Sequence, residues 1–257
     1  MRKNLLFLIL LLIGSYAYAD FVDINAGLIG VESSSTAWGD IDNDGDLDLV
    51  VTGKSDAAFF STNIYRNDGG NVFTNINAGL TGVIDGSASW GDYNKDGYID
   101  LVISGQNSYS SSTTTIYRNN GDYTFTDINA GLPGVMYSST AWGDFDNDGD
   151  LDLLLAGATT LNVYRNNGNG TFTNINAGLT GITYSAVTWG DYDNDGDLDI
   201  LATGVNVATD YTKLYKNNGN STFTEVTTSM MNLGYGSISW GDYDNDGDLD
   251  VLLTGNS

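Results

Sequence analysis

The 257-residue chain has no cysteine and no histidine, only one proline, and 9 basic residues against 33 acidic ones. Without cysteine there are no disulfides to staple it, although an exported chain would be free to use them. Without histidine or cysteine, a zinc or copper centre has none of its preferred ligands. The acidic balance makes nucleic acid and anionic membrane surfaces poor partners. Beyond the N-terminus, no segment is apolar for long enough to cross a bilayer.

The N-terminus itself, MRKNLLFLILLLIGSYAYA, has a basic start at Arg2 and Lys3, an apolar run from Leu5 to Ile13, and small residues at Ala17 and Ala19. This is the pattern of a secretory signal peptide over residues 1–19, with cleavage expected after Ala19 and secretion to the extracellular space or cell surface. Cleavage leaves 7 basic and 33 acidic residues, a net charge of −26 on residues 20–257. Of those acids, 23 lie in five short loops, each bounded by Trp on one side and Leu, Ile or Val on the other.

The five tryptophans, Trp38, Trp90, Trp142, Trp189 and Trp240, are spaced by 52, 52, 47 and 51 residues. A second block recurs between them, as in NIYRNDGGNVFTNINAGL from Asn63 and TIYRNNGDYTFTDINAGL from Thr115. Each unit holds four candidate strands: one ending at Trp, one after the aspartate loop, one at YRN, and one at FTNIN. No helical period appears, and Asn119, Asn120 and Gly121 are expected to supply the positive φ angles of a tight hairpin. One four-stranded sheet cannot bury both its faces, so repeats of this length are expected to stack. The expected fold is all-β, a β-propeller of four-stranded antiparallel blades with the tryptophans packed between sheets.

The loops read WGDIDNDGDLDLVVTG, WGDYNKDGYIDLVISG and three further copies. Side-chain oxygens stand at positions 1, 3, 5 and 9, with glycine at 6. Two carboxylates about 4 Å apart repel by roughly 4 kcal/mol at an effective dielectric of 20, so converging charges call for a hard cation. All-oxygen ligands suit calcium best, with position 7 offering its backbone carbonyl. The expected ligands are Asp40, Asp42, Asp44, Asp46 and Asp48; Asp92, Asn94, Asp96, Tyr98 and Asp100; Asp144, Asp146, Asp148, Asp150 and Asp152; Asp191, Asp193, Asp195, Asp197 and Asp199; and Asp242, Asp244, Asp246, Asp248 and Asp250. An EF-hand would need Glu at position 12, where Val51, Ile103, Leu155, Ala202 and Leu253 stand. The second site, carrying Asn94 and Lys95, is expected to bind most weakly. At millimolar calcium, a site with Kd near 10⁻⁴ M adds about 1.4 kcal/mol, and five independent sites about 7 kcal/mol.

The loop DxDxDGxxD running into LDLLL at a fifty-residue period resembles the FG-GAP repeat family and its VCBS-type bacterial relatives. The resemblance spans nearly all of residues 20–257. It implies propeller blades with calcium-binding loops, as in the head of integrin α subunits, where seven blades are usual. GD at Gly39–Asp40 and TG at Thr52–Gly53 stand in the places of the family's FG and GAP tripeptides. The final unit stops after VLLTGNS without a YRN strand. Either FVDIN, at residues 21–25, closes a five-bladed ring as the outer strand of the last blade, or the chain belongs to a longer array, which fits the strand count better.

The resemblance implies adhesion or ligand binding, with an extracellular protein or glycan as partner. The alternative is a noncatalytic module or fragment of a larger secreted hydrolase or lyase. Variable inserts at the end opposite the aspartate loops carry Phe59, Phe60, Tyr109 and Tyr211. These aromatics suit stacking on sugar or peptide, and simple drift in unconstrained turns explains them as well. Two glycosylation sequons, Asn169 with Thr171 and Asn220 with Thr222, lie in the Asn-Gly turns. Catalysis within the chain is not expected, since the remaining acids, Asp56, Asp85, Asp122, Asp127 and Asp210, are scattered across repeats and no tuned base is evident.

Overall fold

The computed structural model describes residues 22–55, 59–108 and 111–257, so the signal sequence, Asp56 and Tyr109 lie outside the described residues. Among the described residues eighteen strands form five sheets. The first blade is β1 (Val31–Gly39), β2 (Asp48–Ser55), β3 (Phe60–Asn67) and β4 (Phe73–Asn75), paired in that order and antiparallel. The same order recurs in β5 (Ile84–Gly91) to β8 (Phe125–Asp127), β9 (Ser139–Gly143) to β12 (Phe172–Asn174), and β13 (Thr183–Gly190) to β16 (Phe223–Val226). The fifth sheet holds only β17 (Gly234–Gly241) and β18 (Asp250–Asn256).

The second strand of each blade shows why the sheets stack. In β10 (Asp152–Gly157), Leu153 and Leu155 pack toward the second blade and Leu154 toward the fourth, all three fully buried. An unbroken apolar run is what a strand buried on both faces requires. The equivalent Leu252 of β18 is 67% exposed, with no further sheet among the described residues packed against it.

Trp90, Trp142, Trp189 and Trp240 pack back on the preceding blade. Trp142 stacks on Tyr93 with ring centroids 6.4 Å apart, and Trp189 on Phe145 at 6.3 Å. Their indole N–H groups donate to Ser89 and Ala141 carbonyls of that blade. The expectation of inter-blade tryptophans fails at Trp38, which is 57% exposed, with no other blade among the described residues packed over it. At the other end Tyr243, the counterpart of Tyr93, is 81% exposed, so among the described residues each end sheet has one uncovered face.

The described part of FVDIN, residues 22–25, is not a strand: none of residues 22–30 is in one. In blades one to four the outer strand pairs with a YRN strand, and no YRN strand precedes this segment. It docks instead as a connector, its Ile29 N–H donating to the Tyr65 hydroxyl at 3.3 Å, as Thr81 does to Tyr117 and Thr180 to Tyr215.

Candidate metal centres

The loops are built by their own carboxylates. In the first, Asp40 accepts the amides of Asp44 and Gly45 at 3.1 and 3.0 Å, and Asp44 accepts that of Asp46 at 2.9 Å. Asn43 and Gly45 take φ angles of 60° and 93°, which fold the segment back on itself. Asp48 opens β2, is fully buried, and accepts the amides of Ile41 at 2.9 Å and Asn67 at 2.7 Å. One side chain thus ties the loop to β2 and to the end of β3. Asp100, Asp152 and Asp199 repeat this clamp on Asn119, Asn166 and Asn217. Asp250 keeps only the loop amide of Tyr243, its sheet having two strands among the described residues.

Carboxylate oxygens of Asp40, Asp42 and Asp48 lie within 4.8 Å of one another, as do those of Asp144, Asp146 and Asp152 and of Asp191, Asp193 and Asp199. In the fifth loop the converging set is Asp242, Asp244 and Asp246, all exposed, with Asp250 outside it. Positions 1, 3 and 9 therefore converge where a blade is complete, whereas Asp44, Asp148 and Asp195 at position 5 stand outside the tight sets. The second loop brings no three carboxylates together, Asn94 standing at its third position beside Asp92, Asp96 and Asp100.

Oδ1 of Asp42, Asp144 and Asp146 are buried without a hydrogen-bond partner. A buried unpaired carboxylate oxygen is costly, and a cation among these oxygens would satisfy it. The residues present therefore fit a hard divalent ion, which would supply charge neutralisation. Side chains at position 7 turn elsewhere: Asp150 pairs with Lys95 of the previous blade at 2.6 Å, Asp197 accepts from Asn147 and Asp248 from Asn194. Only the position-7 carbonyls, those of Asp46 and Tyr98 included, remain as candidate ligands there.

Two of the chain's own cations reach their own loops. Arg165 pairs with Asp146 at 2.8 Å, and Lys216 contacts Asp193 and, at 2.9 Å, Asp195. Burial pushes the carboxyls of Asp100 and Asp152 up to about 7 and that of Asp199 to about 6, against the lowering by their backbone amides. Nearby loop aspartates push the same way.

The sequence reading placed Asn119 and Asn120 at positive φ, but the left-handed residues of that hairpin are Gly121 and Tyr123. Asn119 is instead buried at the end of β7 (Ser111–Asn119), its amide donating to the carbonyl of Ile41 in the previous blade at 2.8 Å. Asn166 and Asn217 do the same to Tyr93 and Phe145. These inter-blade bolts were missed, although the Asn after YR or YK recurs in every copy. Tyr211, one of the aromatics suited to stacking on a ligand, is instead buried with its hydroxyl bonded to that of Tyr215, while Phe59 is 71% exposed.

An open array of four-stranded blades with an aspartate loop at one end of each defines a β-propeller-like repeat protein. The FG-GAP-like repeat model matches residues 40–103, 92–155, 144–202 and 205–253, and the chain belongs to that family. No curated protein matches it significantly. Among solved structures, it is similar to an Agrocybe aegerita lectin that recognises non-reducing terminal N-acetylglucosamine, with TM-score 0.54 and 21% identity, covering 86% of this chain and 60% of the lectin. It also matches an exo-β-1,3-galactanase from Phanerochaete chrysosporium at TM-score 0.45 and 12% identity, covering 88% of this chain and 60% of that one. The chain thus spans less than two thirds of either. The likeness to the lectin concerns the fold alone.

Proposed function

We propose that the protein is an exported, noncatalytic binding module whose blades are braced by calcium at the aspartate loops and whose opposite end meets an extracellular protein or glycan. The convergence of positions 1, 3 and 9 around unpartnered buried oxygens carries the calcium reading. Asp48 and its counterparts join each loop to the second and third strands, so an ion held there would brace a whole blade. Membership of the FG-GAP-like family supports export, as does the N-terminal pattern of residues 1–19. Among the described residues no helix is long and apolar enough to cross a membrane.

Thermal melting with and without excess chelator tests the calcium claim. A clear fall in melting temperature, restored by calcium, is the expected result, and an unchanged melt would overturn it. A glycan and matrix-protein array read with variants of the hairpins near Phe59 and Val207 tests adhesion. Turnover of a polysaccharide by the isolated chain would sink the noncatalytic reading.

A further inference from the structure

The backbone bends at one repeated place, five residues before each tryptophan, within the innermost strand in four blades and just before it in the third, where β9 starts at Ser139. Register shifts mark it between Glu32 and Ser35, Ile84 and Ser87, Thr183 and Ala186, and Gly234 and Ser237. At the centre of each bend stand Ser33, Asp85, Tyr137, Tyr184 and Tyr235, with φ angles of 51°, 49°, 51°, 49° and 54°. Left-handed backbone disfavours bulky side chains, and a bend needed only for shape would be met by glycine. Side chains kept there against that cost, in five copies and with three identities, point to a use for the side chains.

The bends open one cleft of about 320 Å³ on the axis of the array, at the end away from the aspartate loops, lined by bend residues of all five blades. Tyr137, Tyr184 and Tyr235 form a ladder along it, with ring centroids 4.2 and 4.3 Å apart, and Tyr235 is 59% exposed. The Asp85 carbonyl accepts the Tyr137 amide, so its side chain starts beside the ladder. Burial, the Tyr137 phenol and the Asp85 charge together push the Tyr184 phenol up. Among the described residues no lysine or arginine forms an ion pair with Asp85.

We infer that this axial cleft binds a primary ammonium or guanidinium group, carried by a lysine or arginine side chain of a partner or by a small polyamine. Aromatic faces and an unpaired carboxylate are the two elements that attract such a group. The net charge of −24 adds a long-range field that draws cations and repels anions. A neutral sugar would gain nothing from that field. The inference rests on the binding-module reading and names the ligand's chemistry.

Cadaverine and arginine amide, titrated into the calcium-saturated full chain with tyrosine fluorescence or NMR as readout, test it. Calcium saturation removes the loops as competing sites. Binding that weakens about tenfold in Asp85→Asn, and also in Tyr235→Ala, is expected, as is weakening with added salt. Asparagine matches aspartate in shape and tolerates the left-handed backbone, and Tyr235 lies on the exposed end blade, so both variants should melt like the parent. Binding by both variants as tight as the parent's, or binding of a neutral methyl glycoside in place of either amine, would overturn the inference. If a macromolecular partner is captured undiminished by Asp85→Asn, the binding-module reading survives and only the cationic ligand falls.

Discussion

At the scale of single residues, the asparagine that ends each third strand is where chemistry and packing meet. Asn166 is 1% exposed and donates to carbonyls of Tyr93 and Leu151, one in the previous blade and one in its own. Asn166→Ala leaves both carbonyls buried and unpaired, and a loss of about 1–3 kcal/mol is expected in urea unfolding at saturating calcium. Asn218→Ala, whose side chain bonds only exposed threonines, should cost far less. The buried ninth-position aspartates make a second residue-level prediction. Their folded carboxyls titrate at about 6 to 7 instead of 3.8, so the folded state binds more protons between those values. Stability of the metal-free protein should therefore fall as pH rises from about 4 to about 7. The exposed Asp68, Asp122 and Asp195 are shifted the other way and act only below 3.8. Calcium binds the ionised form, so saturating calcium should abolish that fall, which thermal melts across pH would show. The aspartate at position 9 was readable as a ligand from spacing, but its clamp on the third strand was not, because Asn67 lies 19 residues away.

At the scale of elements, the unit of stability is the seam between two blades. Gly143 ends β9 where an added Cβ would sit 2.6 Å from the Trp189 ring and 2.9 Å from Leu198. Gly241 holds the same place in β17 with nothing within 4 Å. Gly143→Ala should thus destabilise by about 1–3 kcal/mol through overpacking, while Gly241→Ala should be close to neutral. Chemical denaturation of the two variants checks this contrast. Neither glycine has a left-handed backbone, so the comparison isolates contact from conformation. Four strands per blade and their order were readable from the alternation of apolar runs and turn residues. The buried position of Gly143 was not, since the same Trp-Gly-Asp text surrounds a packed glycine in one blade and a bare one in another.

At the scale of the whole molecule, the five loops share one end of the array and the axial cleft the other. A stripped protein titrated with calcium should fill its second site last, because Asn94 removes a charge and Asn94 Nδ2 donates to Asp96 at 3.0 Å. Asn94→Asp is expected to raise affinity at that site, as read by calorimetry. The uncovered faces at Trp38 and Tyr243 also belong to this scale.

What the sequence alone determined is whatever closes within one short segment. The aspartate loops are such a case, as their turn-forming bonds span at most five residues. So is the Asx turn of each INAGL segment, where Asn77 donates to Asn75 at 2.8 Å; the N-terminal copy keeps it, Asn25 donating to Asp23 at 2.8 Å. Yet that same copy forms no strand, because a strand exists only where another offers its N–H and C=O groups. The exposure of Trp38, the burial of Tyr211, the asparagine bolts and the tyrosine-lined cleft were likewise decided by tertiary structure. Each depends on which blade lies next to which, and repeats that read almost alike carry no mark of having a neighbour or lacking one.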